Sequence, residues 1–511
     1  MTKSMKYHYP AEFIVPTYVP YDVGPIGYAF ETEFERQEVP IGLQLSDMLE
    51  GILTVGGTTT QRFLTNFNLV YETAMAEGNY LIITTSPEWR RLLDLIPEAC
   101  VLRLGEDFTI NIMDPERAEL SEYATILTQV FAQALQLTRS GIERLSQSII
   151  TLLTGSNIPD INELKSNLES KSVEPRGFIN KEMDTIFQFL QNMSYGPVSR
   201  IFGETMIPFN QFMHKITVIE IDLKVQQQLH FFLLCLLAKV IICGRTHQNQ
   251  HCMVLVDIAD SLVPLDPKFY KTRETEQYFL DWVRRLKRNN IGLHLSIQIP
   301  SRFPTIILNT FKTILAHQIT AYEDVKITRN LLQFLPDQMV HSNLRHDNYQ
   351  VEYLKTLTPN MYILKRVDIP NAFPVQIPEF NFSGTHVWTS TEIQSRIAST
   401  FSGWSEPPSM EKTTIEKDFG LDTPIILKVL SLLEEYPELG KQGFLSALNS
   451  DPEIALDMPQ FERLLHKLVA YNYIVMTEHE DGRGHRHHSY QLIEKGQQAY
   501  YVYLEELRRA H

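Results

Sequence analysis

Paired cysteines, long apolar runs and surplus positive charge are all scarce in this sequence, and each shortage narrows what the chain can be. Its four cysteines, Cys100, Cys235, Cys243 and Cys252, lie in or beside apolar stretches and form no CxxC pair. That excludes a disulfide framework and a cysteine-type zinc site, and it reads as buried thiols in a reducing compartment. The most apolar stretch, Leu229 to Cys243, contains Lys239 and falls short of the roughly 20 residues a membrane helix needs, so no membrane span is expected. Met1 to Pro20 is rich in Tyr, Pro and Val and lacks the basic-then-apolar order of a signal peptide, which predicts a cytoplasmic protein. Lys and Arg together number 46 against 61 Asp and Glu, a formal charge of -15. A surface coated for nucleic acid is thereby excluded, and any such contact has to be concentrated in a local patch.

What is present is enough apolar material for more than one folded unit: 511 residues with 43% hydrophobic side chains. Single cores seldom grow past roughly 250 to 300 residues. From about Ser46 to Phe380, short runs rich in Val, Ile and Thr alternate with longer segments of helical period, the pattern of an α/β protein with a mostly parallel sheet. The expected strands are Ile52–Val55, Tyr80–Thr85, Cys100–Leu104, Ile216–Leu223, Met253–Ile258, Gly292–Ile299, Thr313–Ile319 and Met361–Val367. Several are apolar on both faces, so helices should cover both sides of the sheet. The predicted division is a strap over residues 1–45, a core over 46–382 with a helical insertion over about 117–200, a polar linker over 383–420, and a smaller domain over 421–511.

The strand Ile52–Val55 leads through Gly56 into a helix, and the sequence there reads GGTTTQRF. A phosphate-binding loop needs G-x-x-x-x-G-K-[ST]: glycines let backbone N–H groups curl round phosphates, the lysine balances their charge, and the hydroxyl holds magnesium. Counted from Gly56, this chain places Gln61, Arg62 and Phe63 at the last three positions. A Cβ, a bulkier cation and a ring that cannot ligate metal replace the three parts. The candidate nucleotide-binding residues are Gly56, Gly57, Thr58, Thr59, Thr60, Gln61 and Arg62. Downstream, HCMVLVDIAD has the form of an apolar strand ending in a magnesium-associated carboxylate, Asp257, but the next position carries Ile258 where a water-activating glutamate is needed.

These segments, in this order, resemble the HerA/FtsK superfamily of P-loop ATPases over roughly Val39 to Phe380. VPIGLQLSDMLEGILTVGGTTTQRF is similar to that family's approach to its loop, RLGEDFTINIMDP to the stretch after its third strand, and KITVIEIDL to its fourth strand. VRRLKRNNIGLHLSIQIPSRF is similar to the basic helix and sensor strand, with Gln298 at the polar sensor position, and LKTLTPNMYILKRVDIPNAFPVQI to the closing hairpin. The resemblance implies a RecA-like P-loop core, ring assembly and DNA as partner. It implies ATP or ADP as the nucleotide, while the missing hydroxyl makes Mg2+ a poor fit. Arg284, Arg285 and Arg288 on the basic helix read as a solvated face rather than trans-acting arginines.

Beyond the polar stretch, three helical segments, two apolar runs round the turn DGRGHRHH and a final helix give the order of a winged helix. Its third helix offers Arg463, His466 and Lys467, and the wing tip offers Arg483, His485, Arg486 and His487 as DNA-binding candidates. His488 follows in the same cluster. From Leu421 onward about 9 basic residues face about 14 acidic ones, so nonspecific DNA affinity should be modest.

The expected function is a noncatalytic HerA-like subunit that binds DNA or scaffolds a DNA-processing complex. It would form a homo-oligomer or a hetero-ring with an active HerA-like paralogue, with a nuclease or similar enzyme as partner. Two other readings stay open: an unconventional DNA-dependent ATPase using Arg62 and Asp260, and a winged-helix regulator with an oligomerising ATPase-like domain.

Overall fold

The structure, a computed structural model, describes residues 13–31, 36–116, 118–155, 158–172, 181–194, 196–203, 207, 209–223, 225–243, 251–262, 273–334, 349–380, 382–400, 414–419, 423–436, 440–449, 456–480 and 486–509. Its strands in chain order are β1 (Val23–Glu31), β2 (Arg36–Leu43), β3 (Ile52–Val55), β4 (Asn79–Thr84), β5 (Cys100–Arg103), β6 (Ile216–Glu220), β7 (Cys252–Val256), β8 (Ile291–Ile297), β9 (Thr313–Ala316), β10 (Met361–Lys365), β11 (Phe373–Gln376), β12 (Ile474–Glu480) and β13 (Arg486–Leu492). The first eleven form one sheet in the order β2-β1-β11-β10-β9-β3-β8-β7-β4-β6-β5. From β9 to β5 every pairing is parallel, while β10, β11, β1 and β2 add an antiparallel extension. Continuous apolar strands produce this: β3, β5, β7 and β8 are buried at every position, which requires cover on both faces.

All eight strands expected from sequence are present, most with trimmed ends. The apolar pattern missed β1 and β2, whereas β10 and β11 form the closing hairpin that the resemblance implied. β1 interrupts its apolar pattern with Gly24, Pro25 and Gly27, and β2 with Pro40, residues that belong to sheet margins and obscure a strand signal. Within residues 1–45, expected as a strap, β1 and β2 therefore extend the main sheet. The buried Arg366 helps hold them there: its guanidinium donates to the carbonyls of Gly42 and Pro20 and pairs with Asp368 and Asp47.

Between β5 and β6 stand helices Leu120–Leu135, Arg139–Leu153, Ile161–Ser172, Lys181–Met193 and Gly196–Ser199. The stretch after β11 turns back along the sheet, and the helix Ser390–Thr400 buries Ile393 and Ile397 against edge strand β5. A separate apolar core gathers helices Thr414–Phe419, Thr423–Glu435, Lys441–Leu448 and Met458–Ala470 with the antiparallel pair β12 and β13 and the helix Glu494–Arg509. Asp418 ties its ends together, accepting from Tyr473 Oη and Lys495 Nζ, each at 2.8 Å. Among the described residues no helix is long and apolar enough to cross a membrane.

Candidate functional site

In parallel sheets ligands gather at the carboxyl ends of the strands. The register sets Val55 of β3 beside Ile297 of β8 and Ala316 of β9, so the loop after β3 emerges between two neighbouring strand ends. Gly56 and Gly57 both have left-handed backbone, with φ of +76° and +62°. The approach is also too close for side chains: a Cβ on Gly56 would lie 2.3 Å from Ile319 Cγ1, and one on Gly57 2.7 Å from His317 Cβ. Their N–H groups turn to the neighbouring strands, Gly56 to Ile297 O at 3.0 Å and Gly57 to Gln318 O at 2.9 Å.

The helix Thr59–Met75 starts at once. Thr58 caps it in a reciprocal box: Thr58 N donates to Gln61 Oε1 at 2.7 Å, and Gln61 N donates to Thr58 Oγ1 at 3.3 Å. Gln61 is thus already a helical residue in its first turn. Arg62 folds back beneath the loop, only 5% exposed, donating from Nη1 to the carbonyls of Gly56 at 2.9 Å and Gly57 at 3.0 Å and from Nε to Ser296 Oγ at 3.3 Å. Burial lowers its pKa, opposed by the carboxylates of Asp260 and Asp257. Of the seven nucleotide candidates, then, Gly56 and Gly57 direct their N–H groups to neighbouring strands, Thr58 and Gln61 cap each other, and Arg62 binds the loop's own carbonyls. Thr59 and Thr60 are exposed at the helix start.

Asp257 follows β7, and its N–H bonds Ile83 O across the sheet. Its Oδ2 accepts two hydrogen bonds, from Trp89 Nε1 at 2.9 Å and Thr84 Oγ1 at 3.0 Å. Trp89 is fully buried, and Phe63 meets its ring edge-on with centroids 5.3 Å apart. The indole therefore touches both the side chain at the loop's last position and the carboxylate after β7. Asp260 is committed elsewhere, accepting from the backbone N–H groups of Gln298 at 2.7 Å and Ile299 at 3.2 Å. Gln298 itself is exposed beside it.

Beneath the loop the helix carries a polar face into the sheet. Thr54 Oγ1 donates to Asn66 Oδ1 at 2.8 Å, and with its one proton so used it accepts from His294 Nε2 at 2.9 Å. The Nδ1 of His294 is then the acceptor for Tyr80 Oη at 2.7 Å. A second ring, His317, meets Thr65 Oγ1 at 3.1 Å. Burial pushes the pKa of both histidines down to about 3, so both are neutral at physiological pH.

Sequence reasoning found the loop and Asp257 but not Trp89, Thr84 or the buried polar ladder. The signal for the ladder was available: Arg62, Thr65, Asn66 and Asn68 recur at helical spacing and lie on the buried face. Arg284, Arg285 and Arg288 lie in the last two turns of helix Arg273–Arg288, just before the amino end of β8 and away from the loop. Arg285 there pairs with Glu122 at 2.6 Å and Asp281 at 3.1 Å, and Lys287 with Glu50. In the C-terminal unit Arg463, His466 and Lys467 share the exposed face of helix Met458–Ala470. Arg486 and His487 fall in β13, while Arg483 and His485 lie outside the described residues. Among the described residues no group of three or more His, Cys, Asp or Glu is placed to hold a metal ion.

Comparison of the fold with solved structures gives the class: the main sheet and its helices have an α/β fold with a mostly parallel sheet, of the RecA-like P-loop type. One match is VirB4 of Thermoanaerobacter pseudethanolicus, 12% identical, with a TM-score of 0.54, covering 70% of this chain and 97% of that one. Another is the bacterial conjugative coupling protein TrwB in an unbound form, 10% identical, with a TM-score of 0.50, covering 72% of this chain and 97% of that one. At these identities the likeness is one of fold. No protein-family description and no curated protein matches the sequence.

Proposed function

We propose that this protein is a noncatalytic HerA-like subunit that has kept the P-loop fold as a scaffold in a DNA-handling assembly. The observation that carries the reading is Asp257. The carboxylate that would face magnesium in a P-loop ATPase spends Oδ2 on an indole N–H and a threonine hydroxyl, and the neighbouring loop position is the ring of Phe63. That donor set does not fit a metal-bound phosphate. The strand-to-helix connection also has too few unpaired N–H groups to curl round one, because Gly56, Gly57, Thr58 and Gln61 donate within the protein. Ile258 supplies no base, and Asp260, the candidate substitute, is held by two backbone donors.

On this reading ATP hydrolysis is absent, with or without Mg2+, and the protein serves a cytoplasmic ring or hetero-ring beside an active paralogue or nuclease. The C-terminal unit acts as a winged helix, with Arg463, His466 and Lys467 and the wing residues Arg483, His485, Arg486 and His487 meeting DNA. The test is ATP binding and turnover by the purified chain, with and without magnesium and duplex DNA. No turnover is expected. Turnover that duplex DNA stimulates and Asp257→Ala abolishes would overturn the proposal in favour of an unconventional ATPase.

A further inference from the structure

The short segment after β4 has two faces with different duties. Its inner face carries Trp89, which caps Asp257. Its outer face carries Arg90, Arg91 and Asp94, and all three hold the strap that follows β11. Arg90 donates to Trp388 O at 3.0 Å while forking onto Glu220, with its Nη2 2.6 Å from Oε1. Arg91 donates to Thr385 O at 3.2 Å and lies 5.5 Å from the centroid of Phe382. Asp94 accepts from His386 N and Trp388 Nε1, each at 2.8 Å.

The strap also reaches the site directly. Phe382 stacks on Phe63 at 6.4 Å and meets Phe67 at 5.2 Å, and Phe63 and Phe67 are the two rings that pack on Trp89. Phe380 completes the cluster against Phe67 and Tyr71. Past this seat Ser390 accepts from Arg103 Nη1 at 2.5 Å, and the helix Ser390–Thr400 lies on β5.

We propose that the segment Phe382–Ser390 is a built-in lid whose seating keeps Trp89 on Asp257, so that release of the strap and uncapping of Asp257 are one coupled event. The proposal rests on the loop-site reading for its biological meaning but not for its test. One short helical segment, Pro87–Leu95, bonds the strap on one side and the carboxylate on the other, so loosening either contact acts on the shared element. Coupling of this kind is reciprocal: what the strap does to Asp257, Asp257 does to the strap.

Amide hydrogen exchange on the full chain tests this. Asp94→Asn should speed exchange in Phe382–Ser390 and, with it, in Thr58–Phe67 and Val256–Leu262, by about tenfold. Asp257→Ala should speed exchange in Phe382–Ser390 in return. Faster exchange confined to the strap in Asp94→Asn, or a strap unchanged in Asp257→Ala, overturns the lid. Trp388→Phe, which removes one hydrogen bond and keeps a ring, replaces Asp94→Asn if that variant melts as a whole. The result is independent of nucleotide turnover, so an active ATPase would refute the proposed function and leave this coupling standing or falling on its own data.

Discussion

Arg62 offers a test that separates a phosphate ligand from a structural pin. In a working P-loop the cation at this position waits for phosphate, and removing it leaves the empty protein as stable as before or more so, because an unpaired charge is relieved. Here the guanidinium is 5% exposed and donates to two loop carbonyls and to Ser296. Hydrogen bonds from a charged donor contribute ~1.5–3 kcal/mol each. Burying the charge returns several kcal/mol of that, and removing one partner of a buried charged contact costs ~3–5 kcal/mol. Arg62→Ala should therefore destabilise the main unit by ~3–5 kcal/mol, a fall in Tm of about 6–10 °C at ~2 °C per kcal/mol for a large domain. Arg62→Lys, which would be a gain in a nucleotide site, should lose about half as much, since an ammonium cannot reach two carbonyls and a hydroxyl with a planar fork. Calorimetry without nucleotide reads both values. An Arg62→Ala protein that melts with the wild type would refute the pin and return Arg62 to the role of an idle phosphate ligand.

Trp89→Phe keeps an aromatic ring but loses the indole donor to Asp257, so it should cost ~1.5–3 kcal/mol, and Trp89→Ala ~3–5 kcal/mol, in urea unfolding. A loss below about 0.5 kcal/mol for Trp89→Phe would mean the bond is not made in solution. His294 and His317 are held neutral by burial with pKa about 3 against an ordinary 6.5, and His230 likewise at about 4. Because the unfolded chain binds these protons first, stability should be flat above about pH 6.5 and fall below it, approaching ~1.4 kcal/mol per pH unit for each ring until the folded values near 3 to 4 are reached. Urea midpoints that hold level between pH 6.5 and 5 would contradict this burial. Arg463→Ala with Lys467→Ala should weaken duplex binding uniformly across sequences and reduce the salt slope by about 2. A loss confined to one sequence would point instead to base reading.

The sheet was legible because its strands are unbroken apolar runs between helical periods: Ile52–Val55 was placed to the residue, and the end of β7 to within two residues of the reading. Of the antiparallel margin only the closing hairpin β10–β11 was legible, since in β1 and β2 Pro25 and Pro40 lie where a strand signal needs alternation. At the site, the identities of Gln61, Arg62 and Phe63 revealed which parts were missing but not what replaced them. That replacement depends on Trp89 and Phe382, which lie 26 residues and more than 300 residues along the chain from Phe63 and reach it only through the fold. No local pattern marks such a partner. The buried face of helix Thr59–Met75 was readable in spacing, but its polar composition argues against a buried face until His294 and His317 are seen opposite.

The ladder from Asn66 through Thr54 and His294 to Tyr80 gives the Thr54, His294 and Tyr80 protons one address each, and it works like a keyed bolt: it fixes the height at which the helix sits on the sheet. Sliding it by a residue to make room for a wider loop would strand several polar groups in a dry interior, each a loss of ~1–3 kcal/mol. Point substitutions at Gln61, Arg62 and Phe63 could restore the letters of a phosphate-binding motif, but the loop's span would stay as it is. Those substitutions alone would leave helix Thr59–Met75 starting where it does, because the ladder rather than the loop fixes its height.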